Sequence, residues 1–439
     1  MVDLIKKLYN YYLSSSGVTT DSRNVPQNSL FFALKGAHFD GNRYAQQALE
    51  KGARYVVIDD PKMKLSKNYV LVDNVLTVLQ LLAQYHRKQL DIPVLAISGS
   101  NGKTTTKELV RDVLSQKYLV HATKGNLNNH IGVPLTLLAM PRDTEFAVIE
   151  MGASHPKEIA RLCEIAQPTY GLITNIGQAH LEGFGGLEGV IRGKGELYDF
   201  LAQNNGVAFY NADEPHLEEM TRKVKLRIAY GSGRPDHPDG KIIVNEIAGT
   251  ENVVAWVEEP GWGYRIFSKI SGRHNFENIK TAVAIGRYFK LSFMAIKYAI
   301  ESYVPQNMRS QTYPLGSNFI YLDAYNANPT SMKAALDAFA KMKYKQSKRI
   351  AVLGDMLELG AFSAELHQEI LEKVKAMNFS KILLVGTHFA EADKGGVGLH
   401  FERTAELIDW LAQNKIENTA FFVKGSRGIG LEKAFLQEG

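Results

Sequence analysis

The sequence predicts an α/β protein of three domains: a small α/β unit over residues 1–90, a central unit built on a mostly parallel sheet over 91–304, and a Rossmann-like unit over 305–439. Three observations predict it. At 439 residues the chain exceeds what one hydrophobic core usually supports. Strand-length apolar runs alternate with stretches long enough for crossover helices. The pattern also changes near residues 90 and 305, with no internal repeat or low-complexity segment to account for the length.

In the first unit, Met1 to Asn10 has a charged helical pattern, apolar runs at 29–34 and 54–58 read as strands, and 76–86 reads as a long helix. In the second, strand-like runs recur at 94–97, 146–149, 172–174 and 207–210, with room for helices between them. A polar interval at 231–240, with two prolines and three glycines, leads into alternating segments at 241–247 and 252–257. These are expected as antiparallel strands appended to the central sheet. In the third unit the order is strand 319–322, helix from Ser331, strand 350–353, helix from Ser363, strand 382–385, a further helix, strand 421–423 and a final helix. The basic run 341–349 lies between that unit's first helix and second strand and reads as a solvated helix end.

Composition excludes several classes. With 45% hydrophobic and 22% charged residues the chain is neither disordered nor fibrous. Lysine and arginine outnumber aspartate and glutamate by 51 to 46, too even for a nucleic-acid binder but tolerant of an anionic substrate. A single cysteine, Cys163, excludes an internal disulfide and suits a reducing compartment; beside Leu162 it reads as a core thiol. No stretch reaches the roughly 18 apolar residues of a membrane span, and the N-terminus has no signal-peptide pattern, so a cytoplasmic protein is expected.

The strongest local signal follows the strand at 94–97. Ser98-Gly99-Ser100-Asn101-Gly102-Lys103-Thr104-Thr105-Thr106 leads into a helix whose apolar face includes Leu109, Val110, Val113 and Leu114. Strand, glycine-rich turn and helix in that order form a phosphate cradle. Backbone N–H groups from Gly99 to Thr105 and the helix N-terminus face the anion, Lys103 reaches the β and γ phosphates, and Thr104 can hold Mg²⁺. The ligand expected is ATP. Ile97 stands where the longer G-x-x-x-x-G-K-[ST] pattern has its first glycine, so the turn is of a shortened type.

That shortened loop resembles those of the Mur ligases and the folylpolyglutamate synthetases, ATP-driven enzymes that make an amide from a carboxylate and an amine. The Mur resemblance extends through Asp21-Ser22-Arg23, Leu34-Lys35-Gly36, Asp40-Gly41, residues 125–138, Glu150-Met151-Gly152-Ala153, residues 179–185, Gly193-Lys194-Gly195-Glu196, His274-Asn275 with Asn278, residues 323–329 and 354–360. His130 departs from it, standing where glutamate is commoner. Tyr325-Asn326-Ala327-Asn328-Pro329 and 354–360 resemble the member that joins D-alanyl-D-alanine to a UDP-N-acetylmuramoyl-tripeptide. The resemblance therefore implies an ATP-dependent acid–amino-acid ligase of peptidoglycan synthesis, acting as a monomer through an acyl phosphate.

The same resemblance implies roles residue by residue. Glu150, at the carboxyl end of a strand, would hold Mg²⁺ with Thr104, and His180 a second Mg²⁺; a surface glutamate and a structural or phosphate-contacting histidine are the alternatives. Lys194 would carry a CO₂-derived carbamate able to hold that second metal, or else be an ordinary paired lysine. Asn278 would meet adenine with His274 and Asn275 close by, Arg309 the γ-phosphate, and Asp323 ribose or metal. Ser22, Arg23, Lys35 and Asp40 would face the uridine nucleotide, while Asn128, Tyr325, Asn326 and Asn328 would line the peptide site. For 424–427 a peptide contact and a turn are both open. Two other readings stand beside this one: another Mur-type amino-acid ligase, and a nucleotide-driven switch that makes no bond.

Overall fold

The computed structural model describes residues 1–233, 242–305 and 308–436. Of the polar interval 231–240, residues 234–240 lie outside the described residues, as does Lys241.

In the N-terminal part, four parallel strands form one sheet in the order Val18–Thr19, Leu30–Phe32, Tyr55–Ile58, Tyr69–Leu71. Helix Val75–Lys88 starts where Asn74 Oδ1 accepts the Thr77 N–H at 2.8 Å, and it buries Val75, Val78, Leu79, Leu82 and Ala83, the 3–4 spacing of one helical face. Its last turn anchors the unit to the central one: Arg87 donates to the carbonyls of Ala166 and Gln167 at 3.1 and 3.3 Å, and Gln84 to that of Glu164 at 2.7 Å.

The central sheet has nine strands, in the order Trp262–Phe267, Val254–Glu259, Ile242–Glu246, Leu226–Gly231, Val207–Asn211, Tyr170–Ile173, Val94–Ser98, Phe146–Glu150, Val120–Ala122. Val94–Ser98 and Phe146–Glu150 are buried throughout, as parallel strands covered on both faces must be. The expectation for the appended strands needs correcting. Ile242–Glu246 runs parallel to Leu226–Gly231 and only its other edge is antiparallel, and the outermost strand, Trp262–Phe267, was not anticipated. Trp262 and Phe267 point outward with about half their surface exposed, which hides the strand's alternation.

The third sheet runs Gln311–Leu315, Asn318–Asp323, Thr419–Lys424, Lys348–Gly354, Lys381–Val385, Leu399–Phe401, parallel except for its first pair. Gln311–Leu315 and Leu399–Phe401 are additional to the strands expected. The expected final helix is instead two 3₁₀ turns, Arg427–Ile429 and Leu431–Ala434, because Gly430 adopts φ +71° between them and breaks the helical run. Among the described residues no helix is long and apolar enough to cross a membrane.

Candidate active site

A cavity of about 920 Å³ opens where the glycine-rich loop, the carboxyl ends of the central strands and the start of the third unit meet. Ser98 ends its strand, Gly99 turns at φ +139° and Gly102 at φ +77°, and helix Lys103–Leu114 begins. Neither glycine tolerates a side chain. A Cβ at Gly99 would sit 2.0 Å from Thr174 Oγ1, and one at Gly102 2.4 Å from Asn278 Oδ1.

Neighbouring strand ends fix the loop. Asn101 donates its N–H to Asn175 Oδ1 at 3.0 Å, and its carbonyl accepts from Thr174 Oγ1 at 2.6 Å and Asn175 Nδ2 at 3.1 Å. Ser100 Oγ donates to the Gly177 carbonyl at 3.1 Å. Lys103 Nζ donates to the carbonyls of Gly99 and Ser100 at 2.7 and 3.3 Å, so its ammonium lies curled over the loop. Burial, with Arg309 adding to it, lowers the Lys103 pKa; Glu150 opposes the shift.

Glu150 is buried at the end of its strand. Oε1 accepts from Asn128 Nδ2 at 2.7 Å, while Oε2 has no hydrogen-bond partner among the described residues and lies 3.8 Å from Lys107 Nζ. A buried carboxylate oxygen with a cation nearby but no hydrogen bond is poorly satisfied, and a metal ion is what it suits. Thr104 and Glu150 both line the cavity and fit Mg²⁺, which takes one or two protein oxygens and completes its shell with phosphates and water. No group of three or more His, Cys, Asp or Glu side chains assembled for a metal occurs among the described residues. His180, at φ +55°, meets the carboxylate of Glu358, which that contact holds below the usual carboxylate range.

Lys194 is almost wholly buried, its Nζ donating to the Ala153 carbonyl at 3.0 Å and lying 5.2 Å from the Phe184 ring centre. Burial, then the Lys103 charge, holds its pKa well below that of an ordinary lysine. A neutral amine is the form that adds CO₂, so the setting fits a carbamate.

The far wall comes from the third unit and helix Arg273–Tyr288. Asn278 Oδ1 accepts from Thr106 Oγ1 at 3.0 Å and its Nδ2 donates to Asn275 Oδ1 at 3.1 Å. His274, lowered by burial, places Nε2 3.3 Å from Ser310 Oγ. Burial would raise Asp323, but Lys424, 2.6 Å from its Oδ2, outweighs that and leaves it low. Arg309 stacks on Tyr325 at 3.8 Å from the ring centre, and Arg427 on the same ring at 5.2 Å.

Of the residues singled out from sequence, Ser100 to Thr105, Asn128, Glu150, His180, His274, Asn275, Asn278, Arg309, Asp323, Tyr325, Asn326 and Asn328 line this cavity. Gly99 and Lys194 lie behind its wall. Ser22, Arg23, Lys35 and Asp40 are outside it: Arg23 pairs with Asp21 at 2.9 Å, Lys35 with Asp59 at 2.9 Å, and Asp40 caps the turn Gly41–Tyr44. Sequence reasoning missed Lys107, Asn175 and the Glu358 carboxylate. Lys107 had a usable signal, since it follows Lys103 by four residues and shares its helix face.

The Mur ligase family, catalytic domain, matches residues 14–87; the Mur ligase middle domain 97–286; and the Mur ligase, glutamate ligase domain, 308–427. UDP-N-acetylmuramoyl-tripeptide--D-alanyl-D-alanine ligase of Bacillus subtilis is 36% identical over 429 residues, covering 95% of this chain and 92% of that one. Its Escherichia coli counterpart is 35% identical over 96% of this chain and 93% of its own. A crystal structure of MurF from Acinetobacter baumannii superposes with a TM-score of 0.85 at 28% identity, covering 98% of this chain and 97% of that one. With three family segments in order and such identity along nearly its whole length, the chain belongs to the Mur ligase family.

Proposed function

We propose that the chain joins D-alanyl-D-alanine to a UDP-N-acetylmuramoyl-tripeptide, as the names of its relatives describe, and that it uses ATP to do so, releasing ADP, phosphate and the UDP-linked pentapeptide. One observation carries the reading: a single cavity brings the glycine-rich loop, buried Glu150 with an oxygen that no described residue hydrogen-bonds, and the side chains of the third unit to one place.

In this account the tripeptide's terminal carboxylate attacks the γ-phosphorus and the bond to ADP breaks. The amine of the dipeptide then attacks the acyl carbon. Phosphate leaves with the former carboxylate oxygen, and the nitrogen gives up its proton. A carboxylate repels an amine and oxide is a poor leaving group, so activation is required, and the protein's task is to place charge. Lys103 and the loop N–H groups hold the phosphates, Arg309 faces the transferring group, and His274, Asn275 and Asn278 hold adenine with Asp323 near ribose. Bound Mg²⁺ would supply charge neutralisation between Thr104 and Glu150. A carbamate on Lys194, with His180, would extend the same service to a second ion. Tyr325 and Asn326 meet the peptides, with Asn128 and Asn328 beside them holding Glu150 and Asn101, and Ser22, Arg23, Lys35 and Asp40 meet the uridine nucleotide. The work thus divides among residues 1–90, 91–304 and 305–439, in a cytoplasmic monomer. The test follows phosphate release with Mg·ATP and UDP-muramoyl tripeptide, adding the dipeptide last and weighing the product. Release that awaits the dipeptide and yields pentapeptide is expected; release without it would favour a switch instead.

A further inference from the structure

Glu358, in the third unit's segment 354–360, adopts φ +62°, a left-handed conformation that a long side chain rarely takes. Such a residue persists only where its surroundings impose it, and here they do. The Asp355 N–H donates to the Val385 carbonyl at 3.0 Å, that of Met356 to Nε2 of buried His367 at 3.0 Å, and that of Leu357 to Ser426 Oγ at 2.9 Å. The Asp355 carboxylate in turn accepts the N–H groups of His388 and Phe389 at 3.0 and 2.9 Å. The Glu358 carbonyl itself accepts the Glu182 N–H at 3.3 Å.

The side chain so placed is 58% exposed and lines the cavity, where its one partner among the described residues is His180. His180 follows closely on Gly177, whose N–H donates to Ser100 Oγ in the glycine-rich loop at 2.9 Å. On the other side Ser426 Oγ, which holds Leu357, donates to the Ala327 carbonyl beside the peptide residues at 3.3 Å. The carboxylate is thus tied both to the phosphate loop and to the peptide wall, where the attacking amine has to arrive. At neutral pH that amine comes largely as an ammonium ion. The cavity's other acids are committed: Glu158 to the N–H groups of Ser154 and His155, Glu214 to that of Ile176, Glu277 to Arg273 and Lys280, Asp323 to Lys424, and Glu150 to Asn128 and the metal position. We infer that Glu358 receives the α-ammonium of D-alanyl-D-alanine, exchanging its contact with His180 for one with the substrate, and so selects an acceptor that carries an amine. This rests on the ligase reading.

Glu358→Gln tests it, since the amide keeps the size of the side chain and removes its charge. Losing one charged hydrogen bond at a half-exposed site corresponds to a rise of roughly tenfold in the KM for D-alanyl-D-alanine, with the KM for ATP and half-saturating Mg²⁺ unchanged within about twofold. Glu358→Gly, which the φ of +62° favours, should fold and show the same loss. Propionyl-D-alanine, the dipeptide without its amine, supplies the second readout. As an inhibitor competing with the dipeptide it has no ammonium contact to lose, so its inhibition constant should be the same in the parent and in Glu358→Gln. An unchanged KM for the dipeptide, a shifted Mg²⁺ requirement transmitted through His180, or propionyl-D-alanine weakened as much as the dipeptide would overturn the assignment. Parent protein that turns over no dipeptide at all would instead sink the ligase reading itself.

Discussion

Replacing Asn128 with alanine tests how Glu150 is held. Asn128 Nδ2 donates to Glu150 Oε1 at 2.7 Å, the carboxylate is 1% exposed, and its other oxygen lies 3.8 Å from the Lys107 ammonium. A buried hydrogen bond to a charged group is worth about 1.5–3 kcal/mol, and water screens little here. Without it the carboxylate is free to turn toward Lys107 and away from the cavity. If the whole loss appears as weaker metal binding, half-saturating Mg²⁺ rises roughly 10- to 150-fold. The assay is ligation rate against free Mg²⁺ at saturating ATP and peptides, and the expected curve shifts right with its plateau largely regained. An unchanged Mg²⁺ requirement with a lower plateau would refute the reasoning and make Asn128 a substrate contact.

Three further outcomes are expected. Lys103→Ala should cut ligation at least about 100-fold, because one preorganised charge at the transferring group is removed, while the thermal unfolding midpoint stays close to that of the parent. Depleting bicarbonate should slow the parent enzyme, and Lys194→Arg should be slow with or without bicarbonate because a guanidinium adds no CO₂; a rate indifferent to bicarbonate would exclude the carbamate. His86, packed against Tyr9 and Tyr12, is held by burial at a pKa of about 4, below its ordinary 6.5. Between those values the unfolded chain binds a proton that the folded one does not. Its contribution is therefore complete above pH 6.5 and is lost as pH falls toward 4, about 3 kcal/mol in all. His86→Phe should flatten that part of the stability profile measured by urea unfolding.

What could be read from sequence was what sequence neighbours decide. The strand into Ser98, the turn at Gly99 and Gly102, and the helix from Lys103 follow one another within a dozen residues, and each has its own local signature. The third unit's alternation was legible for the same reason, except where Gly430 cut short an apolar run expected as a helix. What stayed hidden was pairing across the fold. Asn101 and Asn328 are 227 residues apart, and nothing around either announces the other. Lys107 meets Glu150 only because two parallel strands put the helix and the strand end side by side, and His180 meets Glu358 only because the third unit docks there. Family resemblance supplied roles for His180 and Asn328, but not these partners.

The account's central claim is that ATP activates the tripeptide's carboxylate as an acyl phosphate before the amine arrives. Tripeptide labelled with ¹⁸O in its terminal carboxylate, turned over with Mg·ATP and D-alanyl-D-alanine, tests it most directly by mass analysis of the phosphate released. One labelled oxygen per phosphate is the result predicted. Phosphate free of label, with its oxygen drawn from water, would contradict the account.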